Sequence, residues 1–444
     1  MNACRVRRAG IIGLAVVGIL TASWVLPPFI HQSLRLCPVR PDGVSEASAL
    51  PQFARRYGVD CAVCHTVVPR LTPVGYKFRR AGFRMPDEYG EEAKFTGLKD
   101  IYGVRVRQQY TVNAAATDAT AANVKVPATN AFTTPELNLY PISGAFGKWW
   151  ATRTELAVTS GEAIAVENAY IRATYPKGDW IFSTRAGIMH PYEGYGGSDE
   201  SFGNFDPLFL SNSAKNGAFD TGVMLVGQNQ SGAEGNIGYK DSTLSVAILN
   251  GYNTLKTAAN KADDNNLRDL RVFFNQMIGE RAAASVLYVN GKTSQPTDVT
   301  ATITAAGGTN AATWINNYER LALFASCEVL GPKLNLLGGF GIGRDHLPRV
   351  LTAATDNTDR FNNTGWFGEV QSKLHEHLTA GARYDTFKPS TRTAGNRLSS
   401  LTFTAAMPFE YIKFLADYQI ARAQSLIGKD RTDNKVILEW QAAF

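Results

Sequence analysis

Apolar and polar residues alternate one by one, in segment after segment, from about Lys94 to the C-terminal Phe444. Because side chains of a β-strand point alternately to opposite faces, each such segment predicts a strand with one apolar and one polar face. In one of them, Ile412, Phe414, Ala416, Tyr418 and Ile420 alternate with Lys413, Asp417 and Gln419. Apolar outside and polar inside is typical of a barrel whose outer wall meets lipid. A soluble β-sandwich would contain similar strands and is the alternative.

The last strand carries the same pattern. Here Val436, Leu438, Trp440, Ala442 and Phe444 alternate with Lys435, Glu439 and Gln441. A chain that ends on an aromatic residue in this register resembles bacterial outer-membrane proteins, whose assembly signal has this form. About seventeen segments have strand character, and single-chain bacterial barrels use an even number, so we predict an antiparallel barrel of about 16 strands. Cys327 falls on its lipid face, as a small hydrophobic residue.

Composition supports strands as the means of crossing the membrane after the N-terminal region. Hydrophobic residues make up 44% of the chain, yet no run after residue 49 approaches the roughly 20 apolar residues that a membrane helix needs. The formal net charge is only +6, and nothing in its distribution indicates a nucleic-acid partner. The expected surroundings of the barrel are therefore outer-membrane lipids.

Residues 1–49 have the pattern of an export signal. Arg5, Arg7 and Arg8 precede an apolar stretch from Ile11 to Leu20, as in a signal with a positive n-region. A retained anchor helix is the alternative, although Pro27 and Pro28 interrupt the apolar run.

The sequence Cys61-Ala62-Val63-Cys64-His65 is a C-x-x-C-H motif. Two thiolates at this spacing can bond the two vinyl groups of one porphyrin, and the following imidazole can ligate the iron. We therefore expect one covalent haem c, held by Cys61 and Cys64, with His65 as the proximal ligand. A zinc site would need further paired ligands, and the other cysteines are single. A disulfide between Cys61 and Cys64 and a zinc site are the alternatives that stay open.

Around the motif, residues 50–90 predict a small helical unit. One helix starts at Pro51 and ends at Gly58; a second has Thr72 as its N-cap, Pro73 in its first turn and Gly82 as its end. On the second helix Val74, Phe78 and Ala81 form an apolar stripe that could cover a porphyrin. So short a unit cannot bury a sufficient core unaided, so a haem and a larger host must supply the rest.

The sixth iron ligand is open. Met85 follows the second helix and is the first candidate for a distal ligand; a methionine that merely fills a gap is the alternative. His190 is a second candidate. His375 and His377 form an H-x-H pair, but they fall at a predicted tight turn, which does not favour a metal site. Acidic groups in predicted loops offer oxygen ligands for a metal-ion donor, although solvated loop charge explains them better: Asp263, Asp264, Asp199, Glu200, Asp356 and Asp359.

Three stretches, from Pro51 to His65, from Pro69 to Pro73 and from Phe78 to Phe83, resemble the fused monohaem cytochrome-porins of outer membranes, whose best known members oxidise extracellular ferrous iron. The resemblance implies a bacterial outer-membrane protein with an export signal region at 1–49, a monohaem cytochrome c segment at 50–90 and a porin-like barrel at 94–444. It also implies that the cytochrome segment plugs the lumen.

The function implied by this resemblance is electron transfer. Electrons would pass from extracellular Fe(II), through the haem, to a periplasmic cytochrome or copper protein, which would make the chain an Fe(II)-oxidising oxidoreductase. Three alternatives stay open: an outward electron conduit, a haem enzyme with another substrate such as a peroxidase, and a passive porin with a structural disulfide.

Overall fold

The computed structural model describes most of the chain after residue 50. The described ranges are 51–59, 61–67, 70–93, 97–114, 116–117, 125–133, 135–159, 164–190, 202–211, 213–216, 219–224, 229–250, 268–279, 281–294, 315–346, 360–392, 396–409, 411–424 and 431–444. The expected export signal and the loop acids named above lie outside them.

Within these ranges, most of the strands form one closed antiparallel barrel, and the others form short two-stranded sheets outside it. In chain order the strands are β1 (Gly103–Asn113), β2 (Thr129–Phe132, Glu136–Tyr140 and Gly144–Phe146), β3 (Trp150–Thr159), β4 (Ala165–Lys177), β5 (Trp180–Met189), β6 (Gln230–Tyr239), β7 (Ser242–Leu249), β8 (Asp269–Ile278), β9 (Ala282–Ser294), β10 (Ile315–Pro332), β11 (Leu334–His346), β12 (Arg360–His375), β13 (Leu378–Lys388), β14 (Leu398–Phe409), β15 (Ile412–Ala423) and β16 (Arg431–Ala443). The three pieces of β2 together occupy one position between β1 and β3. Pairing of β16 with β1 closes the wall, and the predicted number of sixteen strands is confirmed.

The two faces of the wall have the predicted polarity. On β15, Phe414 is 44% exposed on the outside while Asp417 is 1% exposed on the inside. On β16, Trp440 is turned outward and Glu439 inward. Cys327 is exposed on the outer face, as expected. An apolar exterior around a polar interior is stable only where lipid surrounds the wall.

The two ends of the barrel differ in the length of their connections. At one end the strands are joined by tight turns, such as Lys177 to Trp180 between β4 and β5 and Tyr239 to Ser242 between β6 and β7. At the other end the connections are longer, and the one between β5 and β6 spans residues 190–229. Outer-membrane barrels have short turns on the periplasmic side and long loops outside. We therefore take the turn end as periplasmic.

Residues 51–93 form three short α-helices, α1 (Pro51–Tyr57), α2 (Cys61–Cys64) and α3 (Pro73–Arg80), and a 3-10 helix at Pro86–Glu88. Gly58 ends α1 with a φ of +59°, a conformation that suits glycine. Thr72 caps α3 by accepting a hydrogen bond from the Gly75 amide, as its sequence predicts. A short hairpin of His65–Val67 and Arg70–Leu71 joins α2 to α3. None of the described helices has the length and apolar character to cross a bilayer.

The segment 51–93 contacts inward-facing and turn residues of many strands. Arg80 donates to the Thr243 hydroxyl of β7 at 2.6 Å, and Arg84 donates to the carbonyl of Gly147 in the β2–β3 turn at 2.9 Å. Tyr76 packs on Met277 and Ala283, which flank the β8–β9 turn. These contacts lie mostly at the turn end of the barrel, on several sides of the wall.

A second segment, Phe202 to Ser211, also contacts the inner wall. It contains the short helix α4 (Leu208–Ser211), from which Phe209 packs into a buried apolar cluster. The cluster includes Phe273, Leu287, Val289, Tyr318, Ala322, Phe324, Leu337, Phe367 and Phe387. These residues lie on β8 to β13, so part of the inner wall is apolar and is covered by this segment.

Candidate functional site

The C-x-x-C-H motif begins with one helical turn. Cys61 begins α2 and Cys64 ends it, and positions three apart lie on the same face of a helix. The Thr72 amide donates to the Cys64 carbonyl at 2.8 Å, and the Thr72 hydroxyl donates to the Val63 carbonyl at 2.7 Å. The end of α2 is therefore held by the start of α3.

The close approach of α2 and α3 depends on Gly75. A Cβ at this position would collide with the carbonyl oxygen of Cys64 and press on the side chain of Leu71. Only a glycine lets the backbones of the two helices approach this closely. Nothing in the sequence marks Gly75, because its partner is defined only by the packing of the two helices.

His65 lies in the hairpin between α2 and α3, where it pairs with Leu71. The hairpin is anchored to the barrel at Arg70, whose guanidinium is 3.1 Å from Glu369 on β12. Both side chains are buried, and Glu369 is also 3.6 Å from the guanidinium of Arg383 on β13. The position of the expected haem ligand thus depends on a buried ion-pair network of the barrel wall.

An aromatic cluster lies between α1, α3 and the wall. Phe53 stacks on Phe83 at 4.8 Å between ring centroids and meets Phe78 edge-on at 5.2 Å. Met85 packs against the same cluster. The two expected iron ligands thus flank α3 in sequence: His65 pairs with Leu71 just before the helix, and Met85 follows it.

The predicted apolar stripe on α3 is only partly correct. Phe78 and Ala81 are buried, but Val74 is 44% exposed. Tyr76 and Arg79 are buried instead. The difference arises from contacts with the wall: Tyr76 packs on Met277 and Ala283, and the Arg79 carbonyl accepts a 2.6 Å hydrogen bond from Arg172 on β4.

Tyr57 joins the aromatic cluster to the segment that follows α3. Its hydroxyl donates to Glu88 at 2.5 Å, and the Phe83 carbonyl lies 2.9 Å from the same oxygen. Burial, reinforced by the hydrogen bond to Glu88, raises the pKa of Tyr57 well above its ordinary value. Burial also lowers the pKa of the neighbouring Arg84. The phenol therefore stays protonated and keeps its hydrogen bond to Glu88 at neutral pH.

The other histidine candidates lie elsewhere. His190 follows β5 at the long-loop end, where its carbonyl accepts hydrogen bonds from Arg185 and Arg271, each at 3.3 Å. His375 and His377 lie at the predicted tight turn, with ring centroids 5.8 Å apart. Among the described residues, no group of three or more His, Cys, Asp or Glu side chains is arranged to hold a metal ion.

The local structure of the motif fits a covalently attached haem. Cys64 and His65 are both half-buried rather than enclosed, and the donor set is the one that c-type haem attachment requires. Phe53, Phe78 and Phe83 supply an apolar surface on the neighbouring helices. Cys61, Cys64 and His65 are therefore the residues that would hold the group.

Comparisons with known proteins support the barrel. No protein-family model matches the chain, and no curated protein sequence does. The solved anion-selective porin from Comamonas acidovorans is 11% identical, with a TM-score of 0.52 over 77% of this chain and 99% of the porin. OmpF from Salmonella typhi, solved with daunomycin, is 11% identical, with a TM-score of 0.52 over 81% of this chain and 99% of OmpF. OprB from Pseudomonas putida is 8% identical, with a TM-score of 0.50 over 77% and 94%.

The closed barrel, its apolar outer and polar inner faces, and its structural similarity to solved porins together define the class of the protein. It is a sixteen-stranded porin-like barrel of the bacterial outer membrane. Identities this low indicate a shared fold and leave the chemistry to the residues of this chain. In this chain the C-x-x-C-H segment precedes β1 and contacts the inner wall.

Proposed function

We propose that the chain carries electrons across the outer membrane through one haem c bound to Cys61 and Cys64 and ligated by His65. The direction we propose is from extracellular Fe(II) to a periplasmic cytochrome or copper protein, as the resemblance to fused monohaem cytochrome-porins implies. The observation that carries the proposal is the attachment motif, fixed between α3 and a barrel wall to which Arg70 anchors it. Bound haem supplies a one-electron couple of iron.

The chain's own residues have distinct roles in this proposal. Cys61 and Cys64 form the covalent bonds, and His65 provides the proximal nitrogen. Met85 remains a candidate for the distal ligand, since it lies on the aromatic cluster beside α3. Glu369 and Arg70 orient the hairpin that carries His65. Residues 51–90 would thus form the cytochrome segment that plugs the lumen.

The location of the segment supports a relay between the two sides. The apolar band of an outer-membrane barrel is about 25 Å tall, and no soluble carrier crosses it. Contacts with Thr243 and Gly147 hold the segment near the turn end, where a periplasmic acceptor has access. A donor would have to act from the long-loop end of the lumen.

A passive porin is the second candidate, and one observation favours it. Charged residues on the inner wall of β1 and β2 are partly exposed: Arg107 is 31% exposed and its ion-pair partner Glu136 is 20% exposed. A polar, solvated wall is what solute diffusion needs. The inserted segments at 51–93 and 202–211 oppose it, because both occupy space on the inner wall.

The decisive experiment measures covalent haem on the full chain purified from the membrane. A pyridine haemochrome spectrum should show one haem per chain. Replacement of both Cys61 and Cys64 by serine should remove it, whereas the Cys327→Ser control on the lipid face should retain it. A haem-free wild-type chain with a Cys61–Cys64 disulfide would support the passive porin instead.

Reduction of the haem distinguishes the remaining alternatives. In proteoliposomes, Fe(II) added outside at varied pH should reduce the haem, followed by absorbance. If Fe(II) fails at every pH while a quinol or a reduced periplasmic cytochrome succeeds, the chain is an outward conduit. A low-spin spectrum that peroxide leaves unchanged would exclude a peroxidase.

A further inference from the structure

The outer wall bears a polar patch at the long-loop end of β9 to β12. Strand register aligns four of its residues in one row: Asn290 pairs with Glu319, Glu319 with Arg344, and Arg344 with Asn362. A second row nearer the loops contains Lys292 paired with Asn317, and Arg360. We refer to these seven residues as the outer-wall patch.

The patch faces outward but lies beyond the lipid band. On β10 the outward positions from Leu321 to Val329 are all apolar and span nine residues, about the length with which a tilted strand crosses a bilayer. β10 is 18 residues long, so Glu319 and Asn317 extend past that band. The neighbouring outward residues Tyr288 and Ile342 mark the same boundary on β9 and β11, since both pair with Leu321.

The patch is basic and contains a recess. Three cationic side chains, those of Lys292, Arg344 and Arg360, accompany a single carboxylate, that of Glu319. Arg344 is 3.7 Å from Glu319 with both side chains more than one-third exposed, and its Nε donates to Asn362 at 3.4 Å. Asn290, Asn317, Glu319, Arg344 and Arg360 line a cavity of about 230 Å³. The guanidinium of Arg344 is thus oriented along the membrane boundary.

We propose that the outer-wall patch binds the phosphorylated sugar headgroup of an outer-leaflet glycolipid, a lipopolysaccharide. Arginine forms paired, charge-assisted hydrogen bonds with phosphate, and asparagine and carboxylate groups bond sugar hydroxyls. Acyl chains of the same molecule would lie on the apolar band beneath, against Leu321 and Ile342. Charge, height above the band and the polar recess therefore fit one ligand. The site is independent of the haem.

The test uses the full chain in detergent, purified lipopolysaccharide, and the same lipid with its phosphates removed. Binding is measured by thermal stabilisation and by mass of the lipid-bound chain. Charge-assisted hydrogen bonds to phosphate are stronger than neutral ones, so Arg344→Gln with Arg360→Gln should weaken binding at least about tenfold. The Arg422→Gln control changes an exposed arginine at the loop end of β15 and should bind as the wild type does. Removal of the phosphates should reproduce the effect of the double variant.

Three results would overturn the proposal. Equal lipopolysaccharide binding by the wild type and the double variant would show that the patch is not the site. Binding of inorganic phosphate alone, with the same dependence on arginine and full displacement of the lipid, would show a free-anion site. A change in the number of chains per particle with unchanged lipid binding would show that a second copy covers the patch. Normal heat-modifiable migration of each variant verifies that the barrel has folded.

Discussion

Arg70 and Glu369, which are 299 residues apart in sequence, form a buried ion pair at 3.1 Å between the C-x-x-C-H segment and strand β12. The network continues on the wall. Arg383 Nε lies 3.2 Å from Asp385. The Asp385 carboxylate accepts a 2.9 Å hydrogen bond from the backbone amide of Leu208. One set of buried charges therefore holds both inserted segments, the one with His65 and the one with Phe209.

Glu369→Gln tests this anchor. Removing one partner of a buried ion pair costs about 3–5 kcal/mol, and here the cost falls on the attachment of the segment rather than on the strand ladder. We expect faster hydrogen exchange in residues 65–71 and faster trypsin cleavage after Arg70, while the barrel still migrates as folded. Glu369→Asp should partly restore protection.

The matched control for this anchor is Asp345→Asn. It breaks the equally buried pair of Arg320 and Asp345, at 2.7 Å, which joins β10 to β11. If this variant exposes residues 65–71 as strongly as Glu369→Gln does, the effect is general destabilisation and the anchor has no special role.

Local sequence signals predict the strands and the helix ends well. The alternation on β15 and β16 identifies the inner and outer faces, since strand geometry requires only the period of two. Thr72, Pro73 and Gly82 likewise mark the ends of α3, because capping depends on neighbouring residues alone. Such features need no knowledge of distant partners.

Features that depend on distant partners could not be predicted. Nothing near Arg70 in the sequence identifies Glu369 as its partner. Likewise, the need for a glycine at position 75 follows only from its contact with the Cys64 carbonyl in the folded chain. The burial of Tyr76 and Arg79 depends on β8, β9 and β4, which lie far along the chain. Haem attachment, the iron ligands and the Fe(II) donor remain predictions from the motif and the resemblance.

Gly75→Ala tests the close approach of α2 and α3. The added Cβ would collide with the Cys64 carbonyl, a backbone group that cannot move aside as the end of a flexible side chain could. Overpacking of this kind costs about 1–3 kcal/mol. We expect fewer chains with covalent haem and faster hydrogen exchange at residues 61–67. Val74→Ala is the control, since Val74 is exposed beside Gly75. Equal haem content in the wild type and Gly75→Ala would contradict the packing argument.

The raised pKa of Tyr57 predicts a dependence on alkaline pH. An unfolded tyrosine ionises near pH 10, whereas burial and Glu88 hold the folded phenol protonated beyond that pH. A group whose pKa is raised in the folded state contributes its full stabilisation of the fold at pH values below its unfolded pKa. For Tyr57 this stabilisation declines as the pH rises above about 10. We expect the protection of residues 51–59, measured as exchange relative to the hydroxide-catalysed intrinsic rate, to fall above that pH, together with the appearance of tyrosinate absorbance.

Tyr57→Phe should reduce this alkaline sensitivity. It should also cost about 1.5–3 kcal/mol at neutral pH, because the hydrogen bond of the phenol to the charged Glu88 is lost. Tyr102→Phe is the control, because Tyr102 is 43% exposed in the same region. If the alkaline transition is unchanged in Tyr57→Phe, the transition belongs to another group. Tyr89 is one such group, because burial raises its pKa too.

Phe209 tests whether the lumen is closed to solutes. It is fully buried and stacks near Phe324 and Phe367, with ring centroids at 6.2 and 5.8 Å. Phe209→Ala should cost about 3–5 kcal/mol of local packing and release the segment from the wall. In planar bilayers we expect low conductance from the wild type and a clear increase from the variant. Phe403→Ala on the lipid face, 45% exposed, should conduct as the wild type does. High conductance of the wild-type chain would mean that the inserted segments leave a pore, and the passive porin would then be the better description.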